Sequence, residues 1–178
     1  KTSHYVYAAA IMSHQPRILL IVLWILTFVM ISGSYYFQWI EHLEPCLLCI
    51  MQRFCVLVLL GILSASLILT TLRWQIFLAF LESLVALCGL YFAMRQIWLQ
   101  ALPQDQLPAC LPGFDTLIHY FPWQMVIKAL FLGTAQCGEV TWRGFGLSMP
   151  AWCGFYFFGM VIHALFQGYK IYDKRALI

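Results

Sequence analysis

The sequence predicts an all-α membrane protein, a four-transmembrane-helix bundle with a long outward-facing loop that contains a short interfacial helix. Two observations carry this expectation. First, 63% of the 178 residues are hydrophobic and only 10% are charged. An ordinary soluble domain carries about 25% charged residues, so this chain cannot clothe a water-facing surface. Second, four stretches reach the roughly 20 apolar residues that a helix needs to cross a hydrocarbon core about 30 Å thick. They run from about Arg17 to Trp39, Cys46 to Thr71, Leu72 to Met94 and Pro150 to Gly168. The length suits a single membrane domain over 1–178, and no repeat or low-complexity tract divides it. The net charge of +3 comes from scattered bases, which excludes a nucleic-acid-binding face.

The first stretch is expected to remain as a span. Its apolar core exceeds the 7–15 residues or so usual for a signal peptide, and Ser32-Gly33-Ser34 is a weak cleavage cue. Losing it would also leave the termini on opposite sides of the membrane. The second and third spans are joined by a short connection, as are the first and second around Glu41 to Pro45. Between the third and fourth lies a long loop, about Arg95 to Met149, rich in prolines and turn residues. Orientation follows from flanking bases. Lys1, Arg17, Arg73, Lys170, Lys174 and Arg175 gather on one side. Lys128 and Arg143, with Arg53 and Arg95 near helix ends, lie on the other. Both termini are therefore expected in the cytoplasm and the long loop outside. Tyr35, Tyr36, Trp39 and Trp98 sit where interfacial aromatic belts are expected.

That orientation sorts the seven cysteines. Cys46, Cys49, Cys110 and Cys137 fall on the outward side, where disulfides persist; Cys55, Cys88 and Cys153 fall within spans and read as small apolar residues. Pro45-Cys46-Leu47-Leu48-Cys49 is a Cys-x-x-Cys motif at the start of the second helix. So short a loop gains little stability from cross-linking, but a helix N-terminus favours thiolate. Cys46, Cys49 and Arg53 share one helical face. An arginine just inside the membrane edge needs a partner or a task, and from there it can stabilise a thiolate or the anion of a reduced acceptor. Two bland readings stand beside this one: a pair of structural disulfides, or a four-cysteine zinc site.

The loop cysteines differ in setting. Cys110 lies in Leu107-Pro108-Ala109-Cys110-Leu111-Pro112, where two prolines forbid a regular helix and present the thiol on an extended segment. Cys137 follows Pro122 to Leu132, an apolar run with Gln124 and Lys128 on one face and Gly133 to end it. Eleven residues are too few to span, so this run reads as a short helix in the outer interface, with a plain packed loop as the alternative. It holds Cys137 near the level of Cys46.

Taken together, these features resemble the disulfide bond formation protein B (DsbB) family of bacterial inner-membrane oxidoreductases. The resemblance runs from about Trp24 to the fourth helix. It rests on Pro45 to Cys49 with Gln52-Arg53, on Arg95-Gln96-Ile97-Trp98-Leu99-Gln100, on Cys110 and Cys137, and on Gly146-Leu147-Ser148-Met149-Pro150-Ala151-Trp152. It implies a protein that reoxidises a periplasmic thioredoxin-like dithiol oxidase of the DsbA type and passes the electrons to a membrane quinone. Cys110–Cys137 is then the disulfide attacked by the reduced partner, at Cys110. Cys46 exchanges with Cys137, and Cys49 is the thiolate facing the quinone. Arg53 matches the family's quinone-side arginine. Gln96 stands where some members have histidine, with an amide able to bond a quinone carbonyl. Gln52 replaces a glutamate of some relatives, which leaves the balance of the Arg53 charge open. The DsbA–DsbB–quinone relay is the established example of a compartment held oxidising kinetically, so the direction of electron flow comes from it. Ubiquinone and menaquinone both present two carbonyls on a flat ring, and the sequence does not separate them; no metal is implied.

Two other functions compete. A reductase of the vitamin K epoxide type also pairs a Cys-x-x-Cys with loop cysteines, but in that resemblance the motif lies on a later helix. A metal-binding or transport protein would use the outward cysteines as ligands. Glu82, near the middle of the third span, is a functional candidate by position. It lies nearly four turns from Gln96, about 21 Å along the axis, so a buried hydrogen bond toward His163 on the fourth span is the structural reading. His42 and His119 face outward as solvated side chains. Glu41 and Glu44 oppose a Cys46 thiolate slightly.

Overall fold

The computed structural model describes residues 2–40, 45–108, 114–140 and 142–176, with the backbone path alone at 2–16, 104, 114–115 and 171–176. Helix α1 (Thr2–Trp39) is followed by α2 (Leu47–Ile68) and α3 (Leu72–Ala101). A 3₁₀ turn at Gln104–Gln106, short helices α4 (Phe114–Tyr120) and α5 (Trp123–Leu132) and a second 3₁₀ turn at Ala135–Gly138 come next. Strands β1 (Arg143–Gly144) and β2 (Leu147–Ser148) then lead into α6 (Met149–Ala176). The four long helices each contain a stretch long and apolar enough to cross a membrane: Arg17–Trp39, Leu47–Ile68, Leu72–Ala101 and Met149–Lys170. They fit a multi-pass membrane protein. Large apolar side chains such as Ile25, Phe54, Phe80 and Leu165 point outward along them, as a lipid-facing surface requires.

Within the bundle α3 is central, packing most extensively on α6 and α2, while α1 packs on α2. Leu59, Leu63, Ala86, Phe92 and Phe157 are fully buried between them. Gly89 lets α3 approach α6, because a Cβ there would overlap the Phe157 ring. Several polar groups inside the bundle are paired across helices. Trp24 Nε1 donates to Ser64 Oγ at 2.8 Å, and Thr27 Oγ1 lies 2.8 Å from the Tyr156 hydroxyl. Leaving such a buried group unbonded costs about 1–3 kcal/mol, so each pair favours one helix register. Glu82 is fully buried and meets His163 Nδ1 at 2.7 Å, as the sequence suggested; His163 Nε2 in turn meets Gln167 Nε2 at 3.0 Å.

Besides α1, which begins at Thr2 well before the expected Arg17, the boundaries depart from expectation in four places. The second span ends at Ile68, three residues early, since Leu69 and Thr71 adopt extended backbone. The Gln75 side chain stabilises that break by donating to the carbonyls of Ser66 and Leu69, which lack helical partners. The third helix runs on to Ala101, past the end of its apolar span at Met94. Arg95-Gln96-Ile97-Trp98-Leu99-Gln100 contains no glycine or proline, and its polar members are sound helix formers; the fall in apolarity does not mark the helix end. The sixth helix likewise extends past Gly168 to Ala176.

The fourth departure concerns the long loop, which holds more structure than a single short helix. α4 and a hairpin join the expected α5. In the hairpin Arg143 pairs with Ser148 and Gly144 with Leu147. Its two-residue turn has Phe145 at φ 52° and Gly146 at φ 83°, the left-handed pair that matches strand twist. α5 begins after Pro122 and ends at Gly133, as its turn residues predict. Leu47, Leu117, Val126 and Ala129 form a small core that fixes α4 and α5 to the start of α2. Gly133 has φ +78°, and a Cβ there would press on Leu48 and Leu99. Only glycine fits that bend, which carries the following 3₁₀ turn back over the end of the bundle.

Candidate redox site

The site lies where the bend after α5 meets the first turn of α2. Cys46 is the N-cap of α2, with extended backbone at φ −66° and ψ 165°, and its sulfur accepts from the Cys49 N–H at 3.4 Å. The Cys46 and Cys49 sulfurs lie 2.8 Å apart, so forming a bond of about 2.05 Å needs only a small approach. Cys137, fully buried in the second 3₁₀ turn, supplies a third sulfur within hydrogen-bonding reach of Cys46. Thr134 Oγ1 lies 3.9 Å from it.

The three sulfurs are not equivalent. Cys46 sits between Cys137 and Cys49, and its hydrogen bond toward Cys137, then that toward Cys49 and its burial, hold its proton well above the ordinary thiol range. Cys137 is the beneficiary. The hydrogen bond from Cys46 brings it down from 9.0 to about 6 against the opposing effect of burial, with main-chain hydrogen bonds at Thr134 and Leu48 assisting. The helix N-terminus alone would favour thiolate at Cys46; contact with two other sulfurs reverses that and moves the charge to Cys137.

Beneath the sulfurs lies a layer of side-chain amides. Gln96, in the last turns of α3, directs Nε2 at both Cys46 Sγ (3.3 Å) and Cys49 Sγ (3.2 Å). Its Oε1 accepts from Gln52 Nε2 at 2.8 Å. Arg53 turns the other way, to α1: Nη2 donates to the Ser34 carbonyl at 3.0 Å, Nη1 donates to Gln38, and the guanidinium lies 5.6 Å from the Tyr35 ring centre. A cavity of about 100 Å³ opens between these groups, walled by Cys49, Gln52, Arg53 and Gln96 on one side and by Met30, Phe37, Pro150 and Cys153 on the other.

The structure thus brings together five of the six residues singled out from the sequence: Cys46, Cys49, Cys137, Arg53 and Gln96. Cys110 lies outside the described residues, as do Glu41, His42 and Glu44. Gln96 borders the cavity, and its amide is engaged by sulfur and by Gln52. Sequence reading treated Gln52 only as a missing counter-charge. Its spacing three residues after Cys49 was the available signal for a side chain under the sulfurs. Ser34, Tyr35 and Gln38 were missed as partners of Arg53, because α1 carries no motif. Cys153 reads as a small apolar residue and is half-buried, yet it borders the cavity; Cys55 is buried in the core, and Cys88 is exposed on the outer surface of the bundle. Among the described residues no three His, Cys, Asp or Glu side chains are grouped as metal ligands.

Four membrane-crossing helices, with a run of exchangeable sulfurs at one end over a polar-lined cavity, define a membrane disulfide oxidoreductase. The model of the family described as disulfide bond formation protein DsbB matches residues 16–167, and the chain belongs to that family. It is 38% identical over 136 residues to disulfide bond formation protein B of Nitrosococcus oceani, covering 75% of this chain and 80% of the relative. Identity is 36% over 154 residues to the protein of that name from Stutzerimonas stutzeri, covering 86% and 94%. It is 39% over 139 residues to disulfide bond formation protein B 1 of Pseudomonas aeruginosa, covering 78% and 85%.

Proposed function

We propose that the protein reoxidises a soluble, periplasmic, thioredoxin-fold dithiol protein of the DsbA type and delivers the electrons to a membrane quinone, ubiquinone or menaquinone. In this reading it lies in the bacterial inner membrane with both termini cytoplasmic, the orientation favoured by the flanking bases. The observation that carries the proposal is the order Cys137, Cys46, Cys49 and then the cavity beside Arg53. It is a path from the loop to a pocket at the bundle's edge.

The exchange steps balance as follows. A partner thiolate attacks Cys110 of the Cys110–Cys137 disulfide, forming a mixed disulfide and releasing Cys137 as thiolate. Cys137 attacks Cys46 of the Cys46–Cys49 disulfide, forming Cys46–Cys137 and releasing Cys49. The partner's second thiol then breaks the mixed disulfide, leaving as an oxidised protein and freeing Cys110. Cys110 attacks Cys137, which restores the loop disulfide and returns Cys46 as a thiol beside Cys49. The net change in the chain is one reduced pair, Cys46 and Cys49, for one oxidised partner.

A quinone supplies a two-electron, two-proton acceptor that leaves through the lipid as quinol. The cavity suits such a ring, with apolar walls for its faces, the Cys49 sulfur at one edge and the Arg53 guanidinium as a fixed donor. Arg53 and Gln96 would border it, and Cys49 would face it. The acceptor must pull hard, since a DsbA-type oxidant stands at about −120 mV whereas structural disulfides lie below about −300 mV. The test is a quinone reduction assay with reduced partner and purified protein, repeated with each of Cys46, Cys49, Cys110 and Cys137 replaced by serine. The expected result is quinol formed in step with partner disulfide and lost in all four variants. Stoichiometric zinc without turnover would overturn the proposal.

A further inference from the structure

We infer that Gln52 is a positioning residue that aims the Gln96 amide at the Cys46 and Cys49 sulfurs and so makes their disulfide easier to reduce. The inference rests on the reading of Cys46–Cys49 as the pair that is reduced and reoxidised. An amide can present either end to a neighbour. Here Gln52 Nε2 stands 2.8 Å from Gln96 Oε1, which the Cys49 sulfur approaches only to 3.6 Å, so the Gln96 oxygen is held chiefly by the Gln52 amide and its NH₂ is turned to the sulfurs. There it meets Cys46 at 3.3 Å and Cys49 at 3.2 Å. Both amides are almost wholly buried, Gln52 at 4% and Gln96 at 3% exposure. At that burial an unpaired amide would be costly.

The direction of the effect follows from what the sulfurs become. In a disulfide they are weak, neutral acceptors. When the S–S bond breaks, one sulfur forms the new bond to the incoming thiol and the other leaves with the electron pair. Hydrogen bonds to an ionised acceptor are about twice as strong as neutral ones. Two N–H groups held in place therefore favour the reduced pair over the oxidised one. The donor is neutral and shared by both sulfurs, so it serves whichever of them carries the charge. Gln52 touches neither sulfur in the described contacts; its effect passes through Gln96.

The test uses the full-length protein in membranes, equilibrated with a dithiol–disulfide buffer at fixed pH, acid-trapped and mapped by mass spectrometry for Cys46 and Cys49. In that equilibrium the Cys46–Cys49 bond breaks as the buffer dithiol closes to its own disulfide, with two protons transferred. Gln96→Leu is expected to lower the reduced-to-oxidised ratio about tenfold, and Gln52→Leu about threefold, in the same direction. The double variant should match Gln96→Leu alone. Gln52→Met, which keeps length and volume, should repeat the Gln52→Leu shift even if the branched side chain disturbs folding. A wild-type ratio in both Gln52 variants, or independent adding of the Gln52 and Gln96 effects, would overturn the inference. Failure of the wild-type pair to exchange with the buffer at all would instead remove the underlying reading, and the inference with it.

Discussion

Cys137 offers the sharpest quantitative test, because its charge depends on one neighbour. The perturbation is Cys46→Ala, which deletes the hydrogen bond that does most to lower Cys137 from 9.0 to about 6. A thiol with a midpoint near 6 is about nine-tenths thiolate at pH 7, whereas one at 9 is about one-hundredth thiolate. The main-chain hydrogen bonds at Thr134 and Leu48 survive the substitution, and so does the burial that opposes them. The midpoint is therefore expected to rise to about 8 or above, cutting the thiolate at pH 7 about tenfold. The sign is fixed: the thiolate is present above the midpoint and is lost as pH falls through it. The assay is the pH dependence of alkylation of Cys137 in fully reduced protein, read from its own peptide by mass spectrometry. Burial slows the reagent equally at every pH and leaves the midpoint unaffected. A wild-type midpoint near 9, or one unmoved in Cys46→Ala, would refute the reasoning.

Four further outcomes follow from the bundle. Arg53→Leu should slow quinone reduction at least about tenfold, through the lost charge-assisted donor, while thiol exchange between partner and protein continues; equal loss of both activities would show that the arginine only supports the fold. His163→Leu removes the hydrogen-bond partner of the fully buried Glu82 and should cost about 1–3 kcal/mol, lowering the thermal midpoint. Glu82→Gln keeps a hydrogen bond to His163 and should leave turnover unchanged, so a slowed Glu82→Gln enzyme would point to a proton route. Gly89→Val drives a branched side chain into Phe157 and should cost about 1–3 kcal/mol by overpacking, read as a lowered unfolding temperature; no loss would mean that α3 and α6 are not in contact there.

The sequence made the bundle legible because crossing a membrane demands long apolar runs, and only helices fill them. The Cys46–Cys49 motif and the bend at Gly133 were readable for the same reason: each depends on residues close together in the chain. What escaped reading depends on contacts between distant segments. That Cys46 would keep its proton follows from Cys137, 91 positions later, arriving against it. Gln52 and Gln96 are ordinary amides until two helices bring them to 2.8 Å. Helix α3 outlasts its apolar stretch because apolarity falls where a helix leaves lipid, whether or not the helix stops.

The counter-charge to Arg53, open at the level of sequence, now has a partial physical answer with a functional consequence. Its described contacts are the Ser34 carbonyl, the Gln38 side chain and the face of Tyr35, dipoles and a ring quadrupole that orient a cation without cancelling its charge. A carboxylate partner would claim the guanidinium in a tight ion pair and blunt its field in the cavity. Neutral acceptors on α1 hold it in place and leave its charge uncancelled in the wall of the cavity it shares with Cys49. Negative charge arriving in the cavity would then meet a donor already in place, and none of the reorganisation that water would require. On this account the glutamine at position 52 does more than omit a charge. Freed from pairing with Arg53, it is available to orient Gln96, so that the sulfurs are served by amides and the cavity by the arginine.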